Sequence, residues 1–244
     1  MIKKLSIIFP LFNEEKRLTK TFNEICKFKK KTINRKLEFF FIDDGSSDKS
    51  PLLIDKFIKK NNSKNFKIKY FKLRQNMGKG YALKYGVQKS TMPWILTTDT
   101  DLSVPLSQIF EWEKFKELEK EKIIFGSRNL KDSKVKKKYI RFFLGKLFSF
   151  SIKHILNISL ADTQCGFKLY KKKIAKNIFT QLSNFGFTHD LEIVLISKSK
   201  KIKIKEFPVK WTHRDGSKLN IFYDSLIMFI NIFLLRIKHH HLIN

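Results

Sequence analysis

The sequence predicts an α/β fold, a mostly parallel central sheet covered by helices on both faces. Short apolar runs alternate with longer segments of helical period through the first half of the chain. Each run is followed by turn residues, and three of those turns are acidic. The apolar fraction is 42% over 244 residues, enough to bury the core of one large domain. Strands alternating with helices pair in parallel and are covered on both sides.

The strands are expected at residues 5–9, 38–42, 68–73, 94–98 and 123–125, where Val-, Ile-, Leu- and Phe-type residues cluster without helical spacing. Helices are expected at residues 14–30, 51–60, 79–89 and 105–120. Ser50 followed by Pro51 makes a suitable cap and first-turn pair for the second of them. The N-terminal "MIKKLSIIFPLFNEE" carries only a five-residue apolar run, too short for a signal peptide, and reads as the first strand. No stretch offers ~20 uninterrupted apolar residues, so a conventional spanning helix is not expected. Cys26 and Cys165 are the only cysteines, which makes neither a disulfide framework nor a four-ligand zinc site and suits a reducing cytosol.

In parallel sheets ligands bind beyond the carboxyl ends of the strands. The first strand runs into "PLFNEE", the second into Asp43-Asp44-Gly45-Ser46, and the fourth into Asp99-Thr100-Asp101. Asp, Gly and Ser are ordinary turn residues, so one such loop would signify little. Three converging on one sheet edge make a site. Clustered carboxylates without His or Cys suit a hard divalent cation, Mg²⁺ or Mn²⁺, held by one or two of them plus substrate phosphates. A metal-bridged diphosphate is the natural ligand. "NMGKGYAL" lacks the spacing of a P-loop, and no dinucleotide-binding Gly-x-Gly-x-x-Gly turn occurs.

The 51 basic residues against 22 acidic ones give a formal net charge of +29, which calls for an anionic partner. The excess is almost all Lys, so composition alone leaves nucleic acid, membrane or phosphorylated substrate open. A basic nucleic-acid or membrane-binding protein would account for the charge but not for carboxylates at the binding edge, which repel phosphates unless a metal intervenes. Nucleic acid is therefore not the expected partner.

"SIIFPLFNEE", "FFFIDDGSSDKS", "NMGKGYALKYGV", "TTDTDLSVPL", "GSRNL", "DTQCGFKLY" and "VKWTHRDGSKL" occur in this order. Together they resemble the inverting family 2 glycosyltransferases of the GT-A fold, and within them the polyprenyl-phosphate group, over about residues 5–219. "DTQCGFKLY" and "GSKL" lean toward the glucose-transferring members, with the GDP-mannose-dependent members as the alternative. The resemblance implies a catalytic domain over residues 1–218 that moves a hexose from a nucleotide diphosphate sugar, UDP-glucose before GDP-mannose, to a polyprenyl phosphate. It implies that Pro10, Phe12 and Glu14 line the nucleoside pocket and that Asp44, with Asp43, meets the base. Asp99 would face the ribose or donor sugar and Asp101 would ligate the metal. Ser103 stands where some relatives carry a metal-binding Gln, leaving a water to take that place. Arg214 and Lys218 would close over the diphosphate as a lid does. Gln164 would lie near the donor, whereas Cys165 reads as packing.

A polyprenyl phosphate is already ionised at neutral pH, so its attack needs no general base, unlike that of a sugar hydroxyl. Asp190, which sits where relatives with hydroxyl acceptors have their base, is then expected to orient the donor sugar. With a glycan acceptor it would be the base. Arg128, whose guanidinium presents a fork to phosphate, is the leading acceptor-phosphate ligand, and Arg141 is the second.

A lipid acceptor requires a membrane surface. Residues 134–158 mix Phe, Leu and Ile with lysines and suit an interfacial helical region. Residues 219–238 form an apolar helical segment whose Asn220, Asp224, Asn231 and Lys238 fall within about 40° of arc. Such a helix, in the C-terminal segment 219–244, suits the interface or a membrane protein partner, and also suits packing on the domain's own core. The expected location is the cytoplasmic side of a membrane, peripheral or interfacial.

Overall fold

The computed structural model describes residues 1–136, 151–214 and 221–240. Arg141 and Lys218 lie outside the described residues, as do residues 137–150 of the expected interfacial region and residues 219–220 of the C-terminal segment.

The chain opens with β1 (Lys4–Leu11), α1 (Glu15–Lys30), β2 (Lys36–Asp43), α2 (Ser50–Asn61), β3 (Phe66–Lys72), α3 (Lys79–Lys89) and β4 (Trp94–Thr97). It continues through α4 (Gln108–Trp112), β5 (Ile123–Ser127), β6 (Lys134–Lys136), α5 (residues 151–156) and β7 (Lys168–Lys171). α6 (Lys172–Gln181), α7 (His189–Ser199), β8 (Ile204–Pro208), β9 (Lys210–Thr212) and α8 (Ile221–Lys238) complete it. Seven strands form one sheet in the order β3-β2-β1-β4-β7-β5-β8. All neighbours are parallel except β7, which runs antiparallel to β4 and β5.

Side-chain alternation along the strands supplies a core on each face. In β2, Phe39 and Phe41 join Phe9 of β1 on one face, where Phe22 of α1 stacks on Phe57 of α2 at 4.1 Å between ring centroids. Phe40 and Ile42 point to the other face, under Ala82 and Val87 of α3. α3 approaches the sheet closely at Gly86, where a Cβ would stand 2.6 Å from Ile8 Cγ2. Any larger side chain there would push the helix off the sheet.

Two expectations are corrected. The helix expected at 105–120 is helical only over Gln108–Trp112 and continues as turns, because Trp112 and Leu118 are buried by turn geometry that needs no long helix. Residues 134–136, expected within a helical interfacial region, form β6 and pair in parallel with β9. The β6–β9 ladder carries the chain back over the loop after β4, where Thr212 N–H donates to the Ser103 carbonyl at 2.9 Å.

Strand order reverses between β1 and β4, so the loops leaving these two strands diverge and leave a crevice. The acidic loops surround it.

Candidate active site

The loop after β4 is folded by its own polar groups. Thr98 N–H donates to the Ile8 carbonyl, Thr100 Oγ1 to the Pro10 carbonyl at 2.8 Å, and Ser103 N–H to Asp101 Oδ1 at 2.8 Å. Leu102 between them takes φ +50°, a left-handed conformation that costs a bulky residue about 1 kcal/mol. Its buried side chain anchors the turn. Asp101 thereby lines a cavity of about 930 Å³ together with Glu14, Arg17, Lys20, Asp48, His213 and Arg214.

Asp99, half-buried, meets Lys79 Nζ, at the start of α3, at 2.6 Å. Its other flank is closed by Gly166, where a Cβ would stand 2.4 Å from Asp99 Oδ2, and the Gly166 carbonyl accepts from Thr97 Oγ1. This is the "DTQCGF" loop, and it brings Gln164 within two residues of the Asp99 contact. Burial would raise the Asp99 carboxyl, but the Lys79 ammonium outweighs it and holds the group below the ordinary carboxylate range. Cys165 is buried in the same loop, and burial pushes its thiol up to about 12, as a packing residue requires.

Asp190, at the start of α7, is buried between Lys168 and His189. Lys168 of β7 pairs with its Oδ1, and His189 Nε2 stands 3.1 Å from the same oxygen. Burial would raise this carboxyl too, but His189, Lys168 and Lys79 together hold it far below the usual range.

The second acidic loop has a different character. Asp43 accepts Ser46 N–H at 2.7 Å and the Tyr70 hydroxyl at 2.6 Å, while Asp44 accepts Met77 N–H at 2.7 Å and Gly78 N–H at 2.8 Å. Burial, with Asp43 nearby, raises the Asp44 carboxyl against these two donors. Asp44 thus binds the loop ahead of α3, in which Gly78 takes φ +93°, whereas Asp43 ties its own loop to β3. Pro10 gives its carbonyl to Thr100, Phe12 is exposed at the end of β1, and Glu14 pairs with Arg17 at 3.2 Å.

Arg128 directly follows β5, and its fork meets a carboxylate within the chain. Nε and Nη2 donate to Asp162 at 2.6 and 2.9 Å, and the backbone N–H of Arg128 joins them at 2.9 Å. Burial works against both charges, but the pairing outweighs it, so Asp162 sits below the carboxylate range and Arg128 above its own usual value. Arg214 follows β9 and lies on the cavity wall beside His213.

Sequence reasoning missed Lys79, Lys168, Asp162 and His213. Lys79 stood in "NMGKGYAL", weighed only against the P-loop spacing. Lys168 carried no signal, since one buried lysine does not stand out among so many exposed ones.

Among the described residues no group of three His, Cys, Asp or Glu side chains stands ready to hold a metal. Asp101 and His213 nevertheless line one cavity, and Asp101 Oδ1 alone receives the Ser103 amide. The Asp101 carboxylate, completed by substrate phosphates and water, suits a Mg²⁺ or Mn²⁺ ion, and the His213 imidazole on the same wall suits Mn²⁺ better than Mg²⁺.

The architecture is that of the GT-A nucleotide-sugar transferases. The structure resembles glucosyl-3-phosphoglycerate synthase from Mycobacterium tuberculosis in complex with Mn²⁺, UDP and glucosyl-3-phosphoglycerate, with a TM-score of 0.66, 15% identity, and coverage of 96% of this chain and 80% of that one. It also resembles the mannosyltransferase PcManGT from Pyrobaculum calidifontis in complex with GDP-Man and Mn²⁺, with a TM-score of 0.62, 12% identity, and coverage of 96% and 64%. The glycosyl transferase family 2 model matches residues 6–179, and the chain belongs to that family. Its relatives include the dolichyl-phosphate beta-glucosyltransferases of Dictyostelium discoideum, 34% identical over 96% of this chain and 74% of the relative, and of Homo sapiens, 32% identical over 97% and 76%. That of Saccharomyces cerevisiae is 28% identical over 96% and 75%.

Proposed function

We propose that this family 2 enzyme transfers glucose from UDP-glucose to a polyprenyl phosphate of the dolichyl type, with inversion at the anomeric carbon. The observation that carries the acceptor assignment is the setting of Asp190. A general base must take up a proton near neutral pH, and a carboxylate held between Lys168 and His189 with Lys79 nearby does not. An acceptor that arrives ionised makes such a base unnecessary. The relatives named dolichyl-phosphate beta-glucosyltransferase support the same acceptor and the same sugar.

In this reading the donor diphosphate lies in the cavity lined by Asp101, Arg17, Lys20 and Arg214. Asp101 and His213 would hold the divalent cation, which when bound neutralises the leaving diphosphate. Asp99, kept charged by Lys79, accepts hydrogen bonds from sugar hydroxyls. Asp190 fixes Lys168 and His189 around the sugar and takes no proton. An acceptor phosphate oxygen forms the new bond to the anomeric carbon from the opposite face, and the bond to the diphosphate breaks with its electron pair leaving on the diphosphate oxygen. No proton moves, so catalysis consists of alignment and charge neutralisation. Arg128 has Nε and Nη2 on Asp162, which balances its charge within the chain, and would meet the acceptor phosphate through Nη1.

The test offers UDP-glucose, UDP-galactose, UDP-GlcNAc and GDP-mannose in parallel with dolichyl phosphate and Mg²⁺, and follows radiolabel into the organic phase. UDP-glucose is expected to give the extractable product. Extraction of label from GDP-mannose alone, or from no donor, overturns the assignment.

A further inference from the structure

The C-terminal helix α8 buries one side and bares the other. Ile232 and Leu235 are buried, whereas Leu226, Ile230, Phe233, Leu234 and Ile237 are each more than half exposed. At 100° per residue, positions 226, 230, 233 and 237 fall within about 60° of arc, so the exposed residues form one apolar stripe. No helix among the described residues is long and apolar enough to cross a membrane. The exposed Arg236, Lys238 and His240 flank the stripe at its C-terminal end, and Arg236 donates to the Ile155 carbonyl of α5, beside the exposed Lys153 and His154. Apolar side chains edged by Arg236, Lys238 and Lys153 complement an anionic lipid interface. Two copies of a chain carrying +29 repel one another.

The same helix reaches the donor site through one buried carboxylate. Glu192 of α7 is fully buried. It accepts Lys238 Nζ of α8 at 2.7 Å and Ser183 Oγ at 2.8 Å, and it takes the backbone N–H groups of Ser183 and Asn184 at 2.9 and 2.6 Å. His239 Nε2 stands 3.5 Å away. The loop so held continues to Phe185, whose carbonyl accepts Gly80 N–H at 2.8 Å and would lie 2.5 Å from a Cβ at Gly78. Tyr81 packs edge-on against the Phe185 ring. These contacts clamp the N-terminus of α3, which carries Lys79 to Asp99. Two residues before Glu192 in α7 is Asp190.

We propose that α8 docks on an anionic bilayer through the Leu226–Ile230–Phe233–Ile237 stripe and that Glu192 couples this docking to the position of Lys79 at the donor site. Glu192 and Lys238 are positioning residues. The proposal rests on the lipid-phosphate reading, since an enzyme with that acceptor gains from ordering its donor site only at the membrane. With α8 held at the surface, Lys238 stays on Glu192 and the loop at 183–186 stays closed on α3. With α8 loose, the clamp relaxes.

The experiment uses the full chain and acceptor-free vesicles of phosphatidylcholine with and without phosphatidylserine. Co-sedimentation reads docking, and amide hydrogen exchange at residues 78–81 and 182–186 reads the clamp. The wild type is expected to sediment with the anionic vesicles and to exchange about fivefold or more slowly in those segments when bound. Ile230→Asp with Phe233→Asp should abolish both effects. Lys238→Met should sediment as the wild type does yet lose the added protection, and Lys238→Arg should restore it. Bound wild type with unchanged exchange overturns the proposal, as does Lys238→Met protected like the wild type. Ile230→Asp with Phe233→Asp splitting a dimer in the absence of vesicles overturns the lipid assignment. The exchange measurement uses neither donor nor acceptor, so its failure is separate from a failure of the transferase reading.

Discussion

Asp101 keeps one oxygen on the Ser103 amide and lines the cavity shared with His213, whereas Asp99 is held by Lys79, and Asp190 by Lys168 and His189. One residue type is thereby placed in three settings, and each predicts its own behaviour. Asp101→Asn leaves the turn able to form through its amide oxygen but removes the charge proposed to hold the metal. It should lose at least 10²-fold in transfer rate at every Mg²⁺ or Mn²⁺ concentration, while thermal unfolding stays close to wild type. Near-normal turnover of that variant would exclude Asp101 as the ligand. For Asp190 the pH profile is decisive. The rate should show no enzymic carboxylate ionising between pH 5 and 8, only the acceptor's second phosphate ionisation near about 6. A profile governed by an Asp190-dependent group near neutrality, identified by its loss in Asp190→Asn, would make Asp190 a base.

At the scale of elements, the strands and helices of the first half were legible because period and turn chemistry agreed there. β1, β2, β3 and β4 lie within two or three residues of their expected bounds, as do α1, α2 and α3. The acidic loops were legible as a group for the same reason, each following a strand in a parallel sheet. The antiparallel β7 was not, since "KLYK" is four residues long and interrupts a lysine-rich background. With β7 went Lys168, and the cationic setting of Asp190 depends on it. The pairing of Arg128 with Asp162 was hidden for another reason, because it joins residues 34 apart that only the fold brings together. The "DTQCGF" loop offers a test at this scale. Gly166→Ala places a methyl group against the Asp99 carboxylate. It should cut turnover roughly tenfold or more through misplacement of Asp99, with an unfolding change near the usual ~1 kcal/mol for a point substitution. Unchanged kinetics would show that Asp99 has room to move without consequence.

Across the whole molecule, the crevice at the β1/β4 reversal gathers carboxylates on a chain whose surface is overwhelmingly basic. The buried Asp162, Asp190 and Glu192 are ionised because an arginine and lysines reach them from other elements, and Lys79 does the same for the partly exposed Asp99. Asp99, Asp162, Asp190 and Glu192 are all held below their ordinary values, and Glu192, despite its burial, reaches about 2 through Lys238 and the amides of Asn184 and Ser183. A group lowered in the folded state binds fewer protons there than when unfolded. Its stabilisation is therefore complete above the ordinary carboxylate range and is lost as pH falls through the folded value. The melting temperature should hold from pH 8 down to about 5 and drop steeply between about 4.3 and 2. Glu192→Gln should flatten part of that drop, and an acid limb identical to wild type would remove Glu192 from this account.

The central claim is that transfer goes to an acceptor that is already ionised, without a base. It is tested most directly by presenting UDP-glucose, radiolabelled in the sugar, to dolichyl phosphate and to dolichol, which differ only in phosphate against hydroxyl. With Mg²⁺ or Mn²⁺ present, label should enter the organic phase with dolichyl phosphate and stay in the aqueous phase with dolichol. Transfer to dolichol at a comparable rate, or to neither lipid, would contradict the account.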